Sequence, residues 1–198
     1  MTEITHRFEE GLLYAVRLHA KDVRKETTIP YIAHLLSVCA LVLEDGGDEE
    51  EAIAALLHDA LEDHPTDTSR EEIRERFGAR VLALVESCTD TPPDYRGGKK
   101  PSWRTRKETY LQHLVTARTD ELRVALADKL HNARSTLADY RLLGDQVWSR
   151  FTVGKTEQLW YYRTLVDTFV KAGATGHMIE ELKRVVGELE KMASSYCT

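Results

Sequence analysis

Apolar residues recur at helical spacing along nearly the whole chain. The clearest case is the run 177–192, whose apolar residues fall three or four positions apart and so line one face of a helix. The members of this stripe are Met178, Ile179, Leu182, Val185, Val186, Leu189 and Met192. We expect this helix to pack onto the body of the protein, with a dimer seam as the alternative. No alternating strand pattern is visible, so the sequence predicts an all-α protein of about eight to ten helices.

Capping residues and helix breakers divide this pattern into helices. Pro30 suits the first turn of one helix, and Asp48 can cap a helix over residues 49–63. Ser69 and Glu72 have the spacing of a capping box. The other predicted helices span residues 8–19, 79–88, 102–118, 120–143, 145–151 and 155–171, and residues 90–102 form a loop.

Composition narrows the class of protein. The 198 residues are 42% hydrophobic and 30% charged, which is typical of a globular chain, and the length predicts one domain over residues 1–198. A formal charge of −6 disfavours a general nucleic-acid binder. The three cysteines form no C-x-x-C pair, and no secretory signal or apolar run of ~20 residues is visible. We therefore expect a cytoplasmic protein with reduced thiols and no membrane segment.

Four polar residues interrupt the otherwise apolar segment 55–63, namely His58, Asp59, Glu62 and Asp63. Spacings of three and four residues place them on neighbouring positions of one helix face. Three carboxylates and an imidazole on a half-buried face repel and desolvate one another, which is costly unless a cation offsets their charge. The segment therefore predicts a divalent metal site, with a solvated helix end as the alternative for Glu62 and Asp63.

Two further polar residues lie in apolar runs. His34 lies within residues 31–36, and Asp128 lies within residues 124–130. A satisfied core position is the alternative for each of them. Taken with the His58-Asp59 pair, they make a set of two imidazoles and two carboxylates from three predicted helices. Nitrogen and oxygen donors without thiolates suit Mn²⁺, Fe²⁺ or Zn²⁺.

The order of these residues resembles that of the HD-domain metal-dependent phosphohydrolases. The segments around them are more specific, because residues 28–34, 54–63 and 126–134 are similar to the hydrolase domain of the RelA/SpoT alarmone enzymes. The resemblance covers about residues 7–172. It implies a helical HD-domain fold and a stand-alone small alarmone hydrolase, followed by the amphipathic helix at 177–192.

The resemblance also implies a role for each matching position. One Mn²⁺, with Fe²⁺, Co²⁺ or Zn²⁺ as alternatives, would be held by His34, His58, Asp59 and Asp128. Glu62 and Asp63 would position and deprotonate the attacking water. The reaction would release the 3′-pyrophosphate of (p)ppGpp, or of pppApp or ppApp, to give GDP or GTP or their adenine equivalents. Substrate contacts are expected from Arg24, Lys25, Arg104, Asn132, Arg134 and Tyr161.

Several alternatives stay open at this point. Residues 96–107 carry six basic side chains and no acidic one, so they form either an arm that meets phosphate groups or a solvated loop and helix start. The same metal site could serve a phosphatase or nucleotidase acting on a nucleotide such as NADPH, or a non-catalytic nucleotide-binding module. The expected partner is a small phosphorylated nucleotide. A homodimer and a functional link to an alarmone synthetase are also open.

Overall fold

The computed structural model describes residues 2–90 and 101–195. Over these residues the chain is helical and has no β-strand, only one isolated bridge between Val23 and Pro30. The helices are α1 His6–Leu18, α2 Ile32–Glu44, α3 Glu49–Leu57, α4 Ala60–Asp63, α5 Arg70–Phe77, α6 Ala79–Cys88, α7 Trp103–Val115, α8 Thr119–Leu143, the 3₁₀-helix Gly144–Arg150, α9 Lys155–Lys171 and α10 His177–Ser195. The predicted all-α class is confirmed.

The chain divides into two compact units. The first consists of Met1–Lys100 and Arg118–Asp128, and the second of Pro101–Ala117 and Lys129–Thr198. Helix α8 therefore contributes residues to both units. One HD domain over residues 1–198 stays a prediction.

Helix α3 lies at the centre of the first unit. It contacts α1, α2 and α6, and all of its residues from Ala52 to Leu57 are fully buried. A helix that is apolar around its whole circumference is stable only in such an interior position. Its one buried carboxylate, Glu51, completes a capping box with Asp48 and pairs with Arg123. Because α3 is buried up to its last residue, His58 and Asp59, which follow it directly, lie in the interior of the unit.

The predicted continuous helix over residues 49–63 is wrong at one point. Helix α3 ends at Leu57, and the short helix α4 begins at Ala60. Asp59 has φ −97° and ψ −5°, away from regular helical values, and His58 Nδ1 contacts the carbonyl oxygen of Ala55 at 2.8 Å. A side chain that bonds the backbone in this way competes with the regular helical ladder. The His58-Asp59 pair therefore lies in a turn instead of on a helix face.

The second unit is built around helices α9 and α10. The apolar stripe of α10, including Leu182 and Leu189, is buried, and α10 contacts α9, where Leu165 and Phe169 are fully buried. The expected packing of the last helix within the protein is confirmed. Because its apolar stripe is buried within the chain, the burial does not favour the alternative that this stripe forms a dimer seam. The predicted helix over residues 145–151 is a 3₁₀-helix.

In residues 2–90 and 101–195, none of the helices combines the length and the hydropathy that crossing a bilayer requires.

Candidate metal centre

Two imidazoles meet in the interior of the first unit. His34 lies in the first turn of α2 and His58 directly follows α3, and their exposed fractions are 1% and 2%. Their Nε2 atoms are 3.3 Å apart. Two buried ring nitrogens this close share one small space, which a bound cation can occupy.

Two carboxylates complete the cluster. Asp59 Oδ2 lies 2.9 Å from the Nε2 atom of His58 and 3.7 Å from that of His34. Asp128, buried in the interior of α8, places Oδ1 3.3 Å from His34 Nε2 and 3.6 Å from His58 Nε2. The four residues selected from the sequence are thus brought together, and their donor atoms could hold a divalent metal.

The turn between α3 and α4 makes this convergence possible. In a regular helix, consecutive side chains point about 100° apart. Because the backbone departs from regular helical values at Asp59, both side chains reach the same point. The contact between His58 Nδ1 and the carbonyl oxygen of Ala55 also directs Nε2 into the cluster, as a metal-binding imidazole requires.

The charges of the cluster shift the pKa values of its members. Burial alone would raise the pKa of Asp59, but the adjoining His58 imidazole outweighs burial and holds that pKa well below its usual range. Burial alone would lower the pKa of His58, but Asp59 and Asp128 raise it well above its usual value. Burial lowers the pKa of His34 against the opposing effect of Asp128. The field that attracts a proton to His58 is the field that would attract a metal ion.

Tyr31 orients one of the carboxylates. Its hydroxyl donates a hydrogen bond to Asp59 Oδ2 at 2.5 Å. Burial, followed by the charge of Asp59, raises the pKa of the Tyr31 phenol, so the group stays protonated and remains a donor. Hydrogen bonds of this kind fix the geometry of carboxylates that bind metals.

Glu62 and Asp63 lie on α4, just after the cluster. The Thr89 hydroxyl donates a hydrogen bond to Glu62 Oε2 at 3.1 Å. Asp63 is partly open to solvent at the helix end, but desolvation by the surrounding protein raises its pKa to about 6, and the charges of Asp59 and Glu62 add to this effect. A carboxyl group with such a pKa can gain or lose a proton near neutral pH.

Comparison with known proteins identifies the family. The sequence pattern of the HD domain matches residues 12–152, which is most of the chain. The chain belongs to the HD-domain family. This confirms the family expected from the sequence.

Relatives within the HD-domain family include named hydrolases. The chain is 33% identical over 131 residues to the Drosophila melanogaster guanosine-3′,5′-bis(diphosphate) 3′-pyrophosphohydrolase MESH1, covering 65% of this chain and 68% of that protein. It is 42% identical over 125 residues to the Aquifex aeolicus guanosine-3′,5′-bis(diphosphate) 3′-pyrophosphohydrolase, covering 62% of this chain. That match covers only 16% of the Aquifex protein, which is therefore much longer than the part it shares with this chain.

Solved structures agree with this assignment. A metazoan ortholog of SpoT, described as hydrolysing ppGpp, superimposes with a TM-score of 0.76 and 25% identity over 96% of this chain and 98% of that chain. A Listeria monocytogenes protein superimposes with a TM-score of 0.68 and 31% identity over 80% of this chain and 99% of that chain. The two superpositions cover 96% and 80% of this chain, respectively.

The expected substrate residues of this HD-domain chain fall in both units. In the first unit, the Arg24 guanidinium lies 5.8 Å from the centre of the Tyr31 ring, whose hydroxyl contacts Asp59, while Lys25 is exposed. In the second unit, Arg104 lies over the Trp160 ring at 3.2 Å and pairs with Glu157 at 3.0 Å. Contact of these residues with a nucleotide stays a prediction.

The other expected contacts also lie in the second unit. Tyr161 is buried and its ring lies 5.7 Å from that of Trp103. Asn132 is half-buried on α8, and Arg134 pairs with Glu181 at 3.5 Å. Part of the basic segment predicted at 96–107 lies outside the described residues, namely Arg96, Lys99 and Lys100. Their expected role at phosphate groups stays a prediction.

Sequence reasoning missed two features of the first unit. Tyr31 belongs to the segment that resembles the family, but nothing in its spacing shows that its hydroxyl reaches Asp59. A second cluster of possible metal donors consists of His19, Asp22 and His64. The three-residue spacing of His19 and Asp22 was a weak signal, and His64 lies 42 residues further along the chain.

Proposed function

We propose that this HD-domain chain is an Mn²⁺-dependent alarmone hydrolase. It would release pyrophosphate from the 3′ position of (p)ppGpp, or of pppApp or ppApp, and leave GDP or GTP or the adenine equivalents. The observation that carries the proposal is the convergence of His34, His58, Asp59 and Asp128 on one point. The names of the Drosophila and Aquifex relatives support the substrate class.

The donor set fits a divalent first-row metal. Two imidazole nitrogens and two carboxylate oxygens, without a thiolate, are compatible with Mn²⁺ and also with Fe²⁺, Co²⁺ or Zn²⁺. When bound, the ion would lower the pKa of a coordinated water and offset charge on the attacked phosphoryl group. Tyr31 would hold the Asp59 carboxylate in place for this task.

The remaining steps fall to Glu62 and Asp63. The hydrogen bond from Thr89 restrains the Glu62 carboxylate, which suits it to position the attacking water. Asp63 has a pKa of about 6, so at neutral pH it is mostly ionised and can accept the proton of that water. Both carboxylates lie on α4, whose first residue follows the ligand Asp59 directly.

The substrate would be a small phosphorylated nucleotide. Arg24 and Lys25 are proposed to pack against its nucleobase, since a guanidinium plane can stack on an aromatic ring. Arg104, Asn132, Arg134 and Tyr161 are proposed as further contacts. The preferred nucleobase, a cytoplasmic location, a homodimer and a functional link to an alarmone synthetase stay predictions.

Product analysis tests the proposal. The purified chain would be stripped with a chelator, reloaded with Mn²⁺, and incubated in parallel with ppGpp, ppApp and NADPH. We expect pyrophosphate from ppGpp or ppApp and none from the variant His58→Ala. The variant His113→Gln changes an exposed histidine on α7 and serves as the matched control.

Other results of the product analysis would contradict the proposal, and each would indicate a different alternative. Orthophosphate from NADPH, without pyrophosphate from either alarmone, would indicate an HD-type phosphatase or nucleotidase. Nucleotide binding without any product would indicate a non-catalytic module. Equal turnover of His58→Ala and the unchanged chain would refute the metal assignment. A parallel series with Fe²⁺, Co²⁺ and Zn²⁺ identifies the metal that supports the highest turnover.

A further inference from the structure

A second group of donor atoms lies in the first unit, outside the cluster described above. His19 caps the carboxyl end of α1, Asp22 lies in the loop that follows, and His64 follows α4. Asp22 Oδ2 is 2.8 Å from His19 Nδ1 and 2.6 Å from His64 Nε2. The two imidazole rings meet edge to face, with centroids 4.6 Å apart. Three elements of the fold thus bring two nitrogens and one oxygen to the same place.

The backbone holds these donors in position. The loop after α1 is closed by hydrogen bonds from Tyr31 N to Asp22 O at 2.9 Å and from Arg24 N to Ile29 O at 2.8 Å. The Tyr31 ring stacks on His19 at 5.1 Å. Donors fixed by the fold lose little freedom when they bind an ion, so binding costs less than at a flexible group.

The burial of the three side chains also suits an ion. The His19 side chain is only 1% exposed, while those of His64 and Asp22 are 16% and 34% exposed. The site therefore has a buried wall and an open side that water or an ion can enter. Burial lowers the pKa of His19, against the opposing effect of Asp22, and favours the neutral imidazole. The neutral form is the one that binds a metal.

We propose that His19, Asp22 and His64 form a second site for a divalent transition metal, with Zn²⁺ or Mn²⁺ as the ion. Two imidazoles and one carboxylate are a common donor set for such ions, and three protein ligands leave at least one position open for water or a phosphate oxygen. This inference rests on the geometry and burial of the three donors and does not depend on the proposed hydrolysis.

The distances in this second site are compatible with an ion. Donors that lie ~2.1 Å from one metal are about 3.0–3.4 Å apart, so the pairs at 2.6 and 2.8 Å need to open by a few tenths of an ångström. The first cluster shows a similarly short pair, with His58 Nε2 and Asp59 Oδ2 2.9 Å apart. The open side of the second site leaves room for this adjustment.

Tyr31 connects the two sites. Its ring stacks on His19 of the second site, and its hydroxyl donates to Asp59 of the first. An ion bound at the second site would restrain the His19 ring on which Tyr31 stacks, and would thereby help to hold the Asp59 carboxylate. We therefore expect the second ion to strengthen metal binding at the first site.

Metal content is the first test. The chain and its variants would be stripped with a chelator, saturated with Zn²⁺ or Mn²⁺, freed of excess metal, and analysed for ions per chain. We expect two ions for the unchanged chain and for the control His113→Gln. We expect one ion for His64→Gln, one for Asp22→Asn and one for His58→Ala, and none for His58→Ala combined with His64→Gln.

The alternative is that His19, Asp22 and His64 form a hydrogen-bonded cluster that binds no metal. Both arrangements involve the same contacts, so the number of ions per chain distinguishes them. One ion in the unchanged chain, kept by His64→Gln and lost in His58→Ala, would overturn the second site. That result would leave the proposed hydrolysis intact, because hydrolysis is judged by its product at the first site.

A second measurement does not depend on changing the second site. In the folded variant His58→Ala, Zn²⁺ should shift the imidazole resonances of His19 and His64 in a nitrogen-15 NMR titration that ends at one equivalent. The resonance of His113 should not move. Unchanged His19 and His64 resonances at saturating Zn²⁺ would overturn the proposal, even where His64→Gln or Asp22→Asn failed to fold.

Discussion

The substitution Tyr31→Phe isolates the hydrogen bond that orients Asp59, a proposed metal ligand. It removes only the hydroxyl group, which donates to Asp59 Oδ2 at 2.5 Å, and keeps the ring that stacks on His19 at 5.1 Å. Because the phenol stays protonated, this is a hydrogen bond from a neutral donor to a charged acceptor. Such bonds contribute about 1.5–3 kcal/mol.

The expected loss in Mn²⁺ affinity follows from this energy. Removal of a group that orients a metal ligand lowers affinity by about 10–100-fold, and each tenfold change corresponds to ~1.4 kcal/mol. A loss of about 1.5–3 kcal/mol therefore agrees with a loss of about 10–100-fold in affinity. We expect the Kd for Mn²⁺ to rise by about 10–100-fold in Tyr31→Phe. The assay is a competition titration against a chromophoric chelator, with the thermal midpoint recorded alongside.

Tyr14→Phe is the matched control. It also removes a buried hydroxyl in the first unit, one that donates to Thr68 Oγ1 at 2.5 Å, and it keeps the edge-to-face contact with Phe77. We expect a loss of about 1 kcal/mol in the free energy of unfolding and no change in the Kd for Mn²⁺. The reasoning is refuted if Tyr31→Phe is folded and binds Mn²⁺ as tightly as the unchanged chain, or if Tyr14→Phe loses as much affinity.

Three further predictions concern catalysis, stability and pH. Glu62→Gln should keep the affinity for Mn²⁺ within about threefold but lower kcat by ~100-fold or more, because it removes a carboxylate and no metal ligand; an equal loss of Mn²⁺ by titration would make Glu62 a ligand instead. Leu182→Ala should cost about 2–5 kcal/mol in urea unfolding, since Leu182 is fully buried on α10, and a cost below ~1 kcal/mol would contradict its place in the core. Arg80→Gln should lower the free energy of unfolding by about 1 kcal/mol at pH 7, because Arg80 pairs with Asp48, Glu50 and Asp120 at a site that solvent partly screens. Burial would raise the pKa of Asp48, but the hydrogen bond and charge of Arg80 together with the backbone N–H groups of Glu51 and Glu50 outweigh burial and lower that pKa. This stability is therefore present above the unfolded pKa of ~3.9 and is lost as the pH falls through the lower folded pKa. A difference between Arg80→Gln and the unchanged chain that grows on acidification would contradict this assignment.

Local patterns in the sequence were sufficient to find most helices and their starts. The capping residues Asp48, Ser69 and Ser102 were recognisable because the cap is formed within three residues of the helix start. The apolar stripe of α10 was equally clear, because its period alone shows which face is buried. Such features depend on neighbours along the chain, which the sequence displays directly.

The same local reasoning failed where a tertiary contact overrides helical propensity. Residues 49–63 have an unbroken helical pattern, but the chain turns at His58 and Asp59. The turn places both side chains beside His34 and Asp128, which come from elements far along the chain. The sequence of residues 49–63 alone does not show that His58 and Asp59 contact His34 and Asp128.

By itself, the sequence predicted the all-α class and selected four residues that meet in the first unit, because a charged or imidazole side chain inside an apolar run is costly without a partner. Only the tertiary structure decided how those residues meet, that Tyr31 orients Asp59, and that His64 joins His19 and Asp22. Helical periodicity shows which face of a segment is buried, but the segments that face each other are selected by packing and loop closure over the whole unit.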